Sequence, residues 1–124
     1  ITKEMIKRNG VQLQDAFNTL KNEYGSQNAV WMSWGDYDRK MIEASAKRLN
    51  VENPFQQTHI NLKPLFSMLM GFSKGFGVTK AMTQLGLEFE GTQHSGADDA
   101  YNTARIWVEL QERFIQYDKN KRRK

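Results

Sequence analysis

Apolar residues recur at helical spacing along most of the chain. The spacing predicts helices over about 2–8, 13–24, 37–49, 64–70, 78–85 and 95–117. Residues with special backbone preferences set several of the ends. Gly25 follows the second helix, Pro64 suits the start of the fourth, and Gly86 follows the fifth.

Two short stretches between these helices have the patterns of strands. Residues 28–34 are mostly apolar, as in a strand that is buried on both faces of a parallel sheet. Residues 58–62 alternate, which predicts a second strand with His59 at the surface or at an edge. The order of elements predicts an α/β fold, mostly helical, with about two parallel strands. Because two strands make a poor sheet, we expect further strands from a missing segment or from another chain.

The last predicted helix begins at an acidic site. Ser95 with Asp98 resembles a capping box, whereas Asp99 shares a helix line with Ile106. A carboxylate that points toward the protein interior needs a partner, and a metal ion is one candidate. His94 lies just outside the helix and reaches the same place. The alternative is an ordinary helix cap beside an incidental histidine.

The pattern also predicts which face of this helix is buried. Its predicted apolar face comprises Ala100, Ala104, Trp107, Val108, Gln111 and Ile115, widened by Ile106, Leu110 and Phe114.

A second acidic position follows the first predicted strand. Asp38 lies at the start of the apolar line of the helix over 37–49. It therefore falls at the C-terminal end of a buried strand, where ligand sites in open α/β sheets are found. In the alternative interpretation, Asp36 and Asp38 are ordinary acids of a first helical turn, favoured by the helix dipole.

Composition narrows the class of protein. The chain has 124 residues, of which 39% are hydrophobic and 26% charged, as in a single globular domain. It has no cysteine, which excludes disulfides and cysteine-based zinc sites. We expect no membrane partner, because no apolar run has spanning length, and a cytoplasmic location. The chain begins with Ile1 rather than Met, which suggests a processed or partial chain.

The positive charge is concentrated at the C-terminus. Five lysines and arginines lie in residues 118–124, and removing them from the net charge of +4 leaves −1 for the rest. We therefore divide the chain into a domain over 1–117 and a basic tail over 118–124. The tail either attracts nucleic acid or is a solvated helix end.

Two motifs carry a resemblance to a known family. The segment Trp34-Gly35-Asp36-Tyr37-Asp38, followed by an apolar helix, resembles the second motif of the DEDDh 3′–5′ exonucleases, which are ribonuclease H-like. The segment from His94 to Ala104 resembles their third motif, which begins His-x-Gly-x-x-Asp. Similarity covers nearly the whole chain except the tail. It is greatest to the branch of histone-mRNA and small-RNA 3′-end exonucleases, with the bacterial inhibitor of the KinA sporulation pathway.

One part of the family pattern is missing from this chain. The first motif, Asp-x-Glu on the first strand, occurs nowhere in it. The chain therefore resembles the C-terminal two-thirds of a nuclease domain, that is, a ribonuclease H-like exonuclease fold lacking its first strands. The resemblance implies that the isolated chain has little activity.

The resemblance also implies a mechanism. Asp38 and Asp99 would hold two Mg²⁺ or Mn²⁺ ions together with the missing acids, and His94 would be the general base. The product would be a nucleoside 5′-monophosphate released from a single-stranded RNA or DNA 3′ end, with RNA preferred on the branch resemblance. Lys80 is a candidate for binding phosphate, as are Lys74 and the tail, and the alternative is plain surface lysines.

Two other functions stay open at this point. One is a non-catalytic remnant of the nuclease fold that binds nucleic acid or protein without cutting. The other is a small helical regulator with no metal site. Oligomeric state is not determined by the sequence.

Overall fold

The structure is a computed structural model that describes residues 3–4, 7 and 10–115. The chain divides into two compact units, Ile1–Asn61 and Leu62–Lys124. Lys3, Glu4 and Lys7 are helical, in keeping with the helix predicted over 2–8, of which the other residues lie outside the described part. The basic tail over 118–124 also lies outside it, so its role stays a prediction.

The first unit opens with helix α1, Leu13–Tyr24. Its end is set by Gly25, whose backbone is left-handed with a φ of 59° and whose N–H donates to the carbonyl of Leu20. Such a conformation favours glycine because glycine has no Cβ, and the predicted boundary is confirmed. Phe17 is the residue of α1 that is buried.

Two three-residue strands form the parallel sheet of this unit. Strand β1 is Trp31–Ser33 and strand β2 is His59–Asn61, with Trp31 opposite His59 and Ser33 opposite Asn61. Both are shorter than predicted. The residues before β1 form a 3-10 turn, Ser26–Asn28, in which the hydroxyl of Ser26 donates to the carbonyl of Pro54.

Helix α2, Tyr37–Leu49, connects the two strands. It ends at Asn50, which is left-handed with a φ of 53° and donates its N–H to the carbonyls of Ala46 and Lys47. Asparagine tolerates this conformation better than most residues, which makes it an effective end signal. The strand–helix–strand order with parallel pairing confirms a mixed α/β arrangement.

The second unit is helical in its described part. Helix α3, Leu62–Met70, begins directly after β2, and it is followed by α4, Val78–Gln84, and α5, Gly96–Phe114. The core of this unit contains Leu62, Phe66, Phe76, Ala81, Met82, Leu85, Ile106 and Leu110. No helix of the described residues is both long and apolar enough to cross a membrane.

The predicted buried face of α5 is partly wrong. The buried residues of the helix are Asn102, Ile106 and Leu110, whereas Val108 is half exposed. Successive buried positions are four residues apart, so the buried line is narrower than predicted and includes a polar side chain. The helix ends at Phe114, because Ile115 is extended, whereas the predicted end at Tyr117 lies outside the described residues.

Candidate functional site

The structure places the backbone of His94 next to the carboxylate of Asp99. The backbone N–H of His94 donates to Oδ1 of Asp99 at 3.3 Å. His94 is exposed and Asp99 half-buried at the start of α5. His94 also has a left-handed backbone, with a φ of 68°, which few non-glycine residues adopt. The histidine therefore occupies an unusual conformation that the contact with Asp99 helps to maintain.

The expected capping box is absent. The Ser95 side chain makes no capping hydrogen bond in the described structure, and Asp98 Oδ2 accepts the N–H of Thr92 at 2.9 Å instead. The carboxylate of Asp98 lies where a Cβ at Gly91 would be, within 2.5 Å of it. With its φ of 96°, Gly91 suits this close approach because it carries no side chain.

Asn102 fixes the same segment from one turn further along α5. It is fully buried, and its amide donates to the carbonyls of Glu90 at 2.8 Å and Asp98 at 2.7 Å. Its Oδ1 accepts the N–H of Glu90 at 3.1 Å and is also contacted by Arg105 at 2.9 Å. Arg105 then donates to the carbonyl of Glu88 at 2.7 Å.

These contacts all join side chains of α5 to the backbone of the segment before it. Side chains on one side of α5 bind every second residue of the chain before it, at positions 88, 90, 92 and 94. The segment bends at Gly91 and turns just before α5, with a positive φ at both Gly91 and His94, so these hydrogen bonds from α5 fix its path. The segment 88–94, which we call the strap, thus delivers His94 to the start of α5. Sequence reasoning singled out no role for Asn102 or Arg105, although a polar residue on an apolar helix line was the available signal.

Asp38 lies in the first turn of α2 and is exposed, which corrects the expectation that it points inward. On the same side of α2, Ile42 is half-buried and Ala46 is buried. The packed part of this helix face therefore starts one turn after Asp38. Within the described part of the chain, the Asp38 carboxylate has no hydrogen bond or ion pair.

The turn before Asp38 is held by strand β2. Nε2 of His59 lies 2.7 Å from Oγ of Ser33, and that hydroxyl donates to the carbonyl of Gly35 at 2.9 Å. Since the hydroxyl proton is used there, His59 is the donor to Ser33. Oδ1 of Asn61 accepts the N–H of Gly35 at 3.0 Å. Both polar groups of Gly35 are therefore bound, and the route from β1 into α2 is fixed.

Of the two predicted places for His59, the surface is wrong, whereas an edge is right, because β2 is an edge strand of the two-stranded sheet that the described residues form. Its side chain is 4% exposed, and its ring lies 4.4 Å from that of Trp31. Trp31 in turn stacks on Phe55 with the ring centroids 4.2 Å apart. Alternation along β2 does separate two faces, but the face that carries His59 is covered by these aromatic rings.

Asp36 forms the charged contact of this turn. The guanidinium of Arg39 binds it through two hydrogen bonds of 2.7 Å, which lower the pKa of the Asp36 carboxyl below its usual value of 3.8. The same bonds raise the pKa of Arg39. Because the Asp36 pKa is lowered, any stability from this contact is complete above pH 3.8 and is lost as the pH falls through the lowered pKa.

We expect His59→Ala to lower the free energy of unfolding by about 2 kcal/mol, because it removes a buried hydrogen bond and ring packing. Denaturant unfolding measures the change. The control is His94→Asn, which replaces the other histidine at an exposed position and should change stability by less than about 0.5 kcal/mol. Equal effects of the two substitutions would contradict the assignment of His59 as a buried structural residue.

Lys80 is exposed in the first half of α4. Its ammonium nitrogen lies 5.7 Å from the centroid of the Phe76 ring. A cation–π contact at an exposed site is worth about 0.5–1 kcal/mol, so it orients the lysine without committing its hydrogen-bond donors.

The described residues supply the right type of metal ligand but an incomplete set. Asp38 and Oδ2 of Asp99 have no hydrogen-bond partner in the described part of the chain, and carboxylate oxygens suit Mg²⁺ and Mn²⁺. Across the described residues, no three His, Cys, Asp or Glu side chains are grouped so that they could hold a metal ion. A complete site would need further ligands.

Proteins of similar sequence bear the names of exonucleases. Over 77 residues the chain is 33% identical to human "ERI1 exoribonuclease 2" and 32% identical to the mouse protein of the same name. Over 121 residues it is 22% identical to a Bacillus subtilis (strain 168) protein named "Probable 3′-5′ exonuclease KapD". The comparisons support a relationship to 3′–5′ exonucleases.

The extent of these matches differs. The human and mouse matches cover 60% of this chain but only 11% of either relative. The Bacillus match covers 96% of this chain and 58% of that protein. No protein-family model matches the chain, and no solved structure matches it.

Proposed function

We propose that this chain is the larger part of a ribonuclease H-like domain that acts as a metal-dependent 3′–5′ exonuclease on single-stranded nucleic acid, with RNA preferred. The observation that carries the proposal is the pairing of His94 with Asp99 by the strap and α5. Names of the related proteins support it, since they describe an exoribonuclease and a 3′–5′ exonuclease.

His94 is the proposed general base. Its imidazole is exposed and so can reach a water molecule, while the contact of its N–H with Asp99 fixes its backbone. Histidine is the side chain whose ordinary pKa, about 6.5, suits proton uptake near neutral pH. The ring would take a proton from the water that attacks the phosphorus of the terminal phosphodiester. The bond from phosphorus to the 3′-oxygen of the preceding nucleotide would break, that oxygen would take up a proton to become the new 3′-hydroxyl, and the last nucleotide would be released as a nucleoside 5′-monophosphate.

Asp38 and Asp99 are the proposed carboxylate ligands of two Mg²⁺ or Mn²⁺ ions. When bound, such ions would supply charge stabilisation for the phosphodiester and a lowered pKa for the attacking water. Asp38, and Oδ2 of Asp99, contribute carboxylate oxygens that have no hydrogen-bond partner among the described residues, and other acids must complete the set. Lys80 is proposed to bind a phosphate of the substrate through its exposed ammonium group.

Paramagnetic Mn²⁺ tests the ligand assignment without requiring catalysis. In NMR titrations of the 124-residue chain, we expect Mn²⁺ to broaden the amide signals near Asp38 and near Asp99. Asp99→Asn should raise the Mn²⁺ concentration needed at residues 94–99 by at least about tenfold, because it removes a charged ligand.

Asp98→Asn is the matched control for this titration. It removes the same charge from the neighbouring residue, which already binds the N–H of Thr92. Equal effects of the two substitutions, or no broadening at either aspartate, would contradict the assignment.

A further inference from the structure

A long stretch of the sequence, most of it in the second unit, carries no negative charge. Residues 53–87 include no aspartate or glutamate, while they contain Lys63, Lys74 and Lys80. From Leu62 onward this stretch belongs to the second unit, where it forms α3, α4 and the loop between them. Lysines without an acidic residue in the same stretch of sequence give it a net positive charge, which attracts polyanions.

A groove lies on this surface. It has a volume of about 480 Å³ and is lined by Lys63, Pro64, Ser67 and Met68 of α3 and by loop residues 72–75. This volume is within the range of about 300–1,000 Å³ that holds small ligands. Its lining combines lysines with apolar side chains, and Met68 is 71% exposed.

The groove is supported by fixed contacts. Ser67 is buried, its hydroxyl donates to the carbonyl of Lys74 at 2.8 Å, and its carbonyl accepts the N–H of Phe72 at 2.8 Å. The ring of Phe72 packs edge-on against that of Phe76, with the centroids 4.9 Å apart. Ser67 thus binds two of the four loop residues that line the groove, and the contact between the Phe72 and Phe76 rings stabilises the loop further.

The position of Lys63 depends on a glycine. A Cβ built at Gly75 would lie 2.7 Å from Cε of Lys63, so the lysine stem occupies the space that a side chain would fill. This places Lys63 and Lys74 on the same groove, together with the apolar surface of Met68 and Phe72.

We infer that this groove binds a nucleotide of single-stranded nucleic acid, with a base against Met68 and Phe72 and phosphates at Lys63 and Lys74. Charge complementarity favours a polyanion, and the apolar surface favours one that carries flat, weakly hydrated bases. The inference rests on the proposed function for the identity of its ligand. It assigns binding to residues other than His94, Asp38 and Asp99.

The test is binding of a fluorescein-labelled oligouridylate of about 12 nucleotides, measured by anisotropy in EDTA so that no cleavage occurs. Lys74→Gln should weaken binding about fivefold at moderate salt. It should also lower the slope of log affinity against log salt by about 0.7, the value for one lost phosphate contact on a single strand. Lys47→Gln, which removes an exposed lysine from α2 in the first unit, is the control and should leave both quantities unchanged.

Substitutions at two glycines, one at the groove and one as a control, test the groove without removing charge. Gly75→Ala places a methyl group against Lys63 and should weaken binding about threefold, while unfolding stability stays nearly constant because the lysine stem is flexible. Gly77→Ala is matched to it, since a Cβ there meets nothing within 4 Å and its φ is −70°. Affinity should be unchanged in that variant.

Three outcomes overturn the inference. One is an unchanged affinity and salt slope in both Lys74→Gln and Gly75→Ala, and another is an equal loss in Lys47→Gln. The third is tighter binding of a polyglutamate peptide than of the oligouridylate, which would make the groove a protein-binding site. All binding is measured in EDTA, so the exonuclease activity of the His94 variants has no bearing on binding at the groove. The proposed exonuclease function and the proposed binding groove can therefore fail independently.

Discussion

A protein carrying His94→Asn is expected to remove nucleotides from an RNA 3′ end about 10²–10⁴-fold more slowly than the unsubstituted protein. The physical reason is the loss of the proton acceptor for the attacking water. Asparagine is the informative replacement because it tolerates the left-handed backbone at this position, where φ is 68°. The measurement is turnover of a labelled single-stranded RNA by the product of the complete coding sequence.

The design separates chemistry from folding. His94→Asn should leave the free energy of unfolding within about 0.5 kcal/mol of its original value, because the side chain is exposed. His94→Gly relaxes the backbone and should be equally inactive. Full activity in either variant would exclude His94 as the general base.

The second large effect is expected at Asn102. Asn102→Ala should lower the free energy of unfolding by about 3 kcal/mol, because it leaves the buried amide contacts to Glu90 and Asp98 unmade. Asn102→Asp should not rescue it. The new carboxylate oxygen would face the carbonyls of Glu90 and Asp98, which need a donor. Denaturant unfolding with a two-state analysis gives the values.

Amide hydrogen exchange shows which residues lose protection when Asn102 is replaced. In Asn102→Ala, the amide of Glu90 should exchange faster, since its N–H loses its acceptor. Glu112→Ala changes an exposed residue of the same helix and should alter stability by less than about 0.5 kcal/mol. A stability loss at Asn102 no larger than that of the control would show that the strap does not depend on this residue.

Several helix ends were predictable because their signals are local, whereas α3 begins at Leu62, two residues before its predicted start at Pro64. Gly25 and Asn50 end α1 and α2 by adopting left-handed conformations, which depend on the residue itself and its immediate neighbours. Likewise, a spacing of five residues brings the backbone N–H of His94 to the Asp99 carboxylate at the start of α5, whereas the role of the His94 imidazole stays a prediction. Each of these features is determined within about two helical turns.

The errors came from contacts between distant segments. His59 is buried because Trp31 and Ser33 lie across the sheet from β2, and pairing between strands more than 20 residues apart is not encoded in the alternation of β2 alone. Asn102 has a similar explanation. An asparagine on an apolar helix line is unfavourable until the strap supplies partners for its amide, so its role depends on the tertiary structure.

The central claim is that the protein shortens nucleic acid from the 3′ end by a metal-dependent reaction in which His94 acts. The most direct measurement is the product ladder from 5′-labelled single-stranded RNA incubated with the product of the complete coding sequence and Mg²⁺. We predict stepwise shortening from the 3′ end with release of nucleoside 5′-monophosphates, abolished by EDTA and strongly slowed by His94→Asn. Internal cuts, or shortening that persists in EDTA, would contradict the mechanism. Binding of the RNA without any cleavage would favour a non-catalytic binding module.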